Sequence, residues 1–100
     1  MSKVHHMVLL KISAAKAPRA AELMVALGEL GKAVPGVLEF SGGPYSSSEG
    51  MNQDYTHGFL MTFVDSAARD AYLVHPDHEK VKQAFLPDVD GVVAFDFVAQ

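Results

Sequence analysis

The apolar positions of this chain change their period several times, and each change marks an element. From Val4 to Ile12 they alternate, placing His6, Val8, Leu10 and Ile12 on one face and His5, Met7, Leu9 and Lys11 on the other. From Pro18 to about Val34 the period becomes helical, with Leu23, Leu27, Leu30 and Val34 recurring every three or four residues. Pro18 suits a first helical turn and Pro35–Gly36 ends the helix. Val37 to Ser41 predicts a short strand with Val37, Glu39 and Ser41 on one face and Leu38 and Phe40 on the other. Gly42 to Asp54 is rich in Gly and Ser and lacks periodicity, which predicts a mobile connection. Tyr55 to Val64 alternates again, with Tyr55, His57, Phe59, Met61 and Phe63 sharing a face. Asp65 or Ser66 then caps a helix to about Val74, which His75–Pro76 interrupts before a second helical piece to about Phe85. A closing strand over Val92 to Ala99 sets Val92, Ala94, Asp96 and Val98 against Val93, Phe95, Phe97 and Ala99.

The order is βαββαβ, which predicts an α+β, ferredoxin-like domain spanning residues 1–100, with a four-stranded antiparallel sheet and helices on one face. A sheet covered on one side should be polar on the other. Here both faces of the first and last strands are apolar. One short chain supplies no second cover, so the pattern predicts a homodimer that packs sheet against sheet as a dimeric α/β barrel. The alternative is an apolar patch used by a different partner.

Composition narrows the classes of function. With 100 residues, 49% hydrophobic and 20% charged, the chain supports one core and is too apolar for disorder. Its formal charge of −4, with lysines and arginines scattered singly, argues against a nucleic-acid partner. No stretch approaches the ~20 apolar residues that cross a bilayer. The N-terminal apolar run carries two histidines and ends at Lys11 without a small-residue cleavage site, so it reads as a strand and implies a cytoplasmic protein. The absence of cysteine excludes disulfides, thiolate metal sites and thiol chemistry.

The candidate chemistry therefore rests on five histidines and the carboxylates. Asp96 lies between Phe95 and Phe97, where a carboxylate is costly unless paired, and His6 on the first strand is a natural partner whose tautomer it would fix. His57 reads either as a core histidine satisfied by backbone or water, or as a pocket residue. Tyr72, His75 and His78 are spaced three apart, along one side of a helix despite the intervening proline. His75 has a competing role as cap of the second helical piece. His78 sits in a first helical turn, where the dipole favours a neutral base. Facing His57 and Tyr72 across a cleft, it would abstract a proton next to a carbonyl while Tyr72 hydrogen-bonds the oxygen that develops charge. Three histidines and an aspartate also suggest a metal, but the helix spacing is a weak signal for one, and no metal is expected. Gly42–Gly43 follows no phosphate-loop or dinucleotide pattern.

The segments HHMVLLKI, AVPGV, DYTHGFLMTF, AYLVHPDHEKV and AFDF together resemble the stress-responsive A/B barrel family of dimeric ferredoxin-like proteins. The sharpest part is Tyr-Thr-His on one strand followed by Tyr-x-x-His-Pro-x-His. The resemblance implies a homodimeric barrel with a small-molecule pocket in each subunit, between sheet and helices. In plant polyketide cyclases of that family, which use neither cofactor nor metal, the catalytic tyrosine and histidine fall on Tyr72 and His78. The other polar pocket positions fall on His6, His57 and Asp96; His75 joins them as a substrate-binding candidate. The apolar lining differs: the first helix offers Leu23, Met24 and Leu27, and the chain has no tryptophan. The leading reading is thus cofactor-free, cyclase- or isomerase-like acid/base chemistry on a carbonyl compound. Two others stand beside it: a non-catalytic stress or binding protein with a vestigial pocket, and a cofactor-free enzyme similar to quinol monooxygenases.

Overall fold

The structure, a computed structural model, describes residues 2–100. Strands β1 (Val4–Lys11), β2 (Val37–Pro44), β3 (His57–Phe63) and β4 (Gly91–Val98) form one sheet in the order β2-β3-β1-β4, every neighbouring pair antiparallel. Helix α1 (Ala17–Ala33) connects β1 to β2, and α2 (Ser66–Leu73) and α3 (Pro76–Phe85) connect β3 to β4. Short 3-10 turns at Ala14–Lys16 and Leu86–Asp88 precede α1 and follow α3. This is the ferredoxin-like α+β arrangement that the hydrophobic pattern predicts.

The helical stripe behaves as expected. Ala20, Leu23, Leu27 and Leu30 of α1 are buried, together with Val34, against Val4, Val8 and Leu10 of β1 and Met61 and Phe63 of β3. Each fully buried leucine of that kind contributes about 1.5–3 kcal/mol. Asp65 caps α2, its Oδ1 accepting from the Ala68 amide at 2.9 Å. Gly36 adopts φ +88°, and a Cβ there would meet the Ala68 Cβ at 2.6 Å, so only glycine lets α2 approach the end of β2's lead-in turn.

Two boundaries depart from the sequence reading. Strict alternation over Val37–Ser41 fails, because a β-bulge shifts the register between Val37 and Glu39. Val37 and Phe40 consequently both pack on the core while Leu38 is exposed, the expected effect of one extra residue in a strand. β2 also continues through Gly42 and Gly43 to Pro44, since these residues pair with Phe59, Gly58 and His57. The connection is correspondingly shorter than Gly42–Asp54 at its start.

The helices cover one sheet face only. On the other, Met7, Leu9, Leu60, Val93, Phe95 and Phe97 are exposed, Phe95 at 64%. Cross-strand register aligns Met7 with Phe95, Leu9 with Val93 and His5 with Phe97, so these side chains form a contiguous apolar surface rather than scattered residues.

Candidate functional site

Helix α3 has no buried side chain, although Val81 and Phe85 turn towards the core. The reason is a cavity of about 250 Å³ between α3, α1 and the sheet. Its walls are Val8 and Leu10 of β1, Leu23 and Leu27 of α1, Phe59 of β3, Leu73, Val81 and Phe85, the turn residues Leu86 and Val89, and Val92 and Ala94 of β4. Against this apolar lining stand three polar side chains: His6, His78 and Lys82.

Each histidine is oriented by a bond from its Nδ1. His6, 6% exposed, sits opposite Asp96 in the β1–β4 register and donates to Asp96 Oδ1 at 2.6 Å. An ionised carboxylate can only accept, so Nδ1 carries a proton, and in the neutral imidazole Nε2 carries the lone pair. Asp96 Oδ2 accepts from Arg69 Nη1 at 2.7 Å, and Arg69 Nε donates to Asp70 at 2.8 Å. The carboxylate in its apolar strand is thus held between a guanidinium and an imidazole, the compensation that burial requires. His78 Nδ1 makes a long bond to the Leu73 carbonyl, 3.4 Å, which assigns its proton in the same way. Among the described residues neither Nε2 has a hydrogen-bond partner.

Burial pushes the His78 imidazole below its ordinary pKa of 6.5, and the nearby Lys82 and His6 act in the same direction against the Leu73 carbonyl and Glu79. His78 is therefore a neutral base near pH 7. Its ring stacks on Tyr72 with centroids 4.2 Å apart. Tyr72 is wholly buried between His78, Phe63 and His6, with the His6 ring edge-on at 6.0 Å. Its hydroxyl is buried without a hydrogen-bond partner among the described residues, and burial holds its ionisation far above the ordinary 10. Tyr72 supports the two histidines from behind and does not itself line the cavity.

The structure therefore gathers His6, Asp96, Tyr72 and His78, and it separates the other two candidates. His57 pairs with Leu10 while His6 pairs with Met61, four residues further along β3, or roughly 13 Å away at strand rise. It bonds Thr56 Oγ1 at 2.8 Å and borders a different, shallow depression near Tyr45, Asn52 and Tyr55. Alternation places a residue on a face but not at a position along it. His75 caps α3, its Nδ1 accepting from the Asp77 amide at 3.1 Å, and does not line the cavity. Met24 of α1 is likewise absent from the lining that Leu23 and Leu27 share. Among the described residues no group of three His, Asp or Glu side chains is placed to hold a metal ion.

Sequence reasoning missed Arg69, Lys82 and the outer wall formed by Phe85, Leu86 and Val89. Arg69 was findable: it precedes Tyr72 by one helical turn, and Asp96 needed a strong donor. The outer wall is fastened by Arg19, which donates to Asp88 and to the Ala84 carbonyl, both at 2.9 Å, and lies 4.3 Å over the Phe85 ring. Lys16 adds a second contact to Asp88 at 3.1 Å.

A profile of the Stress responsive A/B Barrel Domain matches residues 4–99. The chain belongs to that family. A stress-response A/B barrel domain-containing protein of Arabidopsis thaliana is 30% identical over 92% of this chain and 82% of its own length. Among solved structures, a dimeric ferredoxin-like protein of unknown function from Jannaschia sp. CCS1 superposes with a TM-score of 0.83 at 35% identity, covering 95% of this chain and 97% of that one. A hydroxynitrile lyase from Passiflora edulis shares the fold, with a TM-score of 0.87 at 18% identity over 98% of this chain and 94% of its own. Among the described residues of this A/B barrel domain no helix is long and apolar enough to cross a membrane.

Proposed function

We propose that the protein is a homodimer whose subunits each bind a small, largely apolar carbonyl compound in the cavity and run cofactor-free acid/base chemistry on it, of the lyase or isomerase kind. One observation carries this reading. His6 and His78 line a single apolar cavity, each with Nδ1 committed to a protein acceptor and Nε2 left unpartnered. In such surroundings a proton next to a carbonyl can pass to His78, whose neutral form is favoured by burial. His6, fixed by Asp96 and Arg69, offers the second site from which a proton is exchanged. Tyr72 lies behind this lining with its hydroxyl buried, and backs His78 through their stacked rings. Dimerisation through the exposed sheet face is supported by its contiguity and by the dimeric state of the Jannaschia relative.

The test needs no knowledge of the physiological substrate. In D₂O, 2-octanone should exchange the protons beside its carbonyl faster with the protein than in buffer, read by proton NMR. His78→Ala should lower the protein-dependent rate by about 100-fold or more, the usual scale for a lost general base. Exchange at the buffer rate despite saturable binding of the ketone would reject catalysis. A second reading, a binding protein without chemistry, would then hold; it is favoured by the position of Tyr72 behind the lining rather than in it.

A further inference from the structure

The cavity has a charge asymmetry. Among the described residues no Asp or Glu lines it, and the cationic residue in its wall is Lys82. Lys82 follows His78 by four residues on α3, so the two lie one above the other on the same helix face. The three polar residues of the cavity wall, His6, His78 and Lys82, are therefore all nitrogen-bearing, and the remainder, from Leu23 and Leu27 to Phe85 and Val89, offers no polar side chain.

From this we infer that the ligand is an acid: an alkyl or aryl compound whose carboxylate pairs with Lys82 at the rim while its apolar body fills the cavity. The inference rests on the reading of the cavity as a ligand site and specifies its substrate class. Lys82 Nζ is at present 2.7 Å from Glu79 Oε1, in a pair whose side chains are 39% and 47% exposed. Such an exposed pair one turn apart on a helix contributes little, because solvent screens it and two long side chains must be held still. A ligand carboxylate at the edge of an apolar cavity competes for the same ammonium in a less polar setting, where the attraction is greater. Exchange of Glu79 for the ligand thus costs little, and the Lys82 stem already lies along the wall, as long cationic side chains do. An ammonium ligand would meet Lys82 as a like charge and would be excluded.

Octanoate and octanol have the same chain and differ in the head group, so their binding isolates the effect. Calorimetric titration of the intact protein should show octanoate binding about tenfold more tightly than octanol, the size of one charge-assisted contact. Lys82→Met should abolish the preference, Lys82→Arg should keep it, and Glu79→Gln should strengthen octanoate binding by freeing the ammonium. Ala94→Phe, which fills the cavity from β4, should remove binding of both probes and so excludes attachment to the outer sheet face. Equal binding of the two probes to the unmodified protein, or a preference that survives in Lys82→Met, would overturn the inference while leaving the ligand site intact. Failure of both probes to bind would overturn the cavity reading and the inference with it.

Discussion

The Tyr72 hydroxyl offers a prediction whose sign is unusual. Removing a buried tyrosine hydroxyl commonly destabilises a protein, because the group is normally hydrogen-bonded and a bond contributes about 0.5–1.5 kcal/mol. Here the residue is wholly buried and the hydroxyl has no partner. Leaving such a group unsatisfied costs about 1–3 kcal/mol. Tyr72→Phe removes that cost and keeps the ring, with its stack on His78 at 4.2 Å and its contact with Phe63 at 5.2 Å. The void left by one oxygen is smaller than a methyl-sized hole, which costs about 1 kcal/mol. The net expectation is a gain of about 1 kcal/mol in the ligand-free protein. In urea unfolding at fixed protein concentration, this appears as a higher midpoint at unchanged slope. Loss of 1 kcal/mol or more would show that the hydroxyl already has a partner, such as a bound water, and would refute the account of an unsatisfied buried group. The same substitution should leave the ketone exchange reaction running, since the hydroxyl lies behind the cavity lining and the ring stacked on His78 is kept.

Two further outcomes follow from the structure. Because burial lowers the proton affinity of His78 below its ordinary 6.5, the unfolded chain takes up the proton first as pH falls. Its contribution is therefore complete above about pH 6.5 and is lost between there and the depressed folded value; urea midpoints measured from pH 7.5 down to 5 should decline less steeply in His78→Gln, and parallel curves would contradict this. Phe95, 64% exposed on the edge strand β4 and in register with Met7, should be the most sensitive position of the proposed dimer: Phe95→Lys should elute as a folded monomer in light-scattering chromatography, and a persistent dimer would place the interface elsewhere.

Much of this molecule was legible in its sequence, for reasons that differ by element. The α1 stripe of Leu23, Leu27 and Leu30 and the alternation of β1 follow from helical and strand periods that burial enforces. Asp96 announced a polar partnership because a carboxylate between two phenylalanines must be compensated, and the structure places His6 at 2.6 Å from it. The β2 bulge left no trace, since one looped-out residue changes the faces without changing the residue types. The pocket between sheet and helices was expected from the family resemblance alone and not from the residue pattern: Leu, Val and Phe line an open space and a filled core equally well. His57 shows the same limit, being on the expected side of the sheet yet too far along β3 to meet His78.

The division of the sheet gives β1 two tasks at once. Its even positions carry His6 and two cavity residues, Val8 and Leu10, and its odd positions carry Met7 and Leu9 to the exposed face. The strand lies between β3 and β4, so its backbone is hydrogen-bonded on both edges, and His6 stands directly opposite both Met61 and Asp96. A side chain that must hold a 2.6 Å bond to a neighbouring strand gains from that rigidity. Pairing of the outer faces would restrain β1 and β4 further, since Met7 and Phe95 lie in register there as His6 and Asp96 do on the other side. The proposed dimer contact and the candidate site are thus adjacent residues of the same two strands, separated only by the pleat. A substitution that splits the dimer should therefore loosen the His6–Asp96 bond without touching either residue, which makes assembly part of the architecture of the site rather than an independent property of the surface.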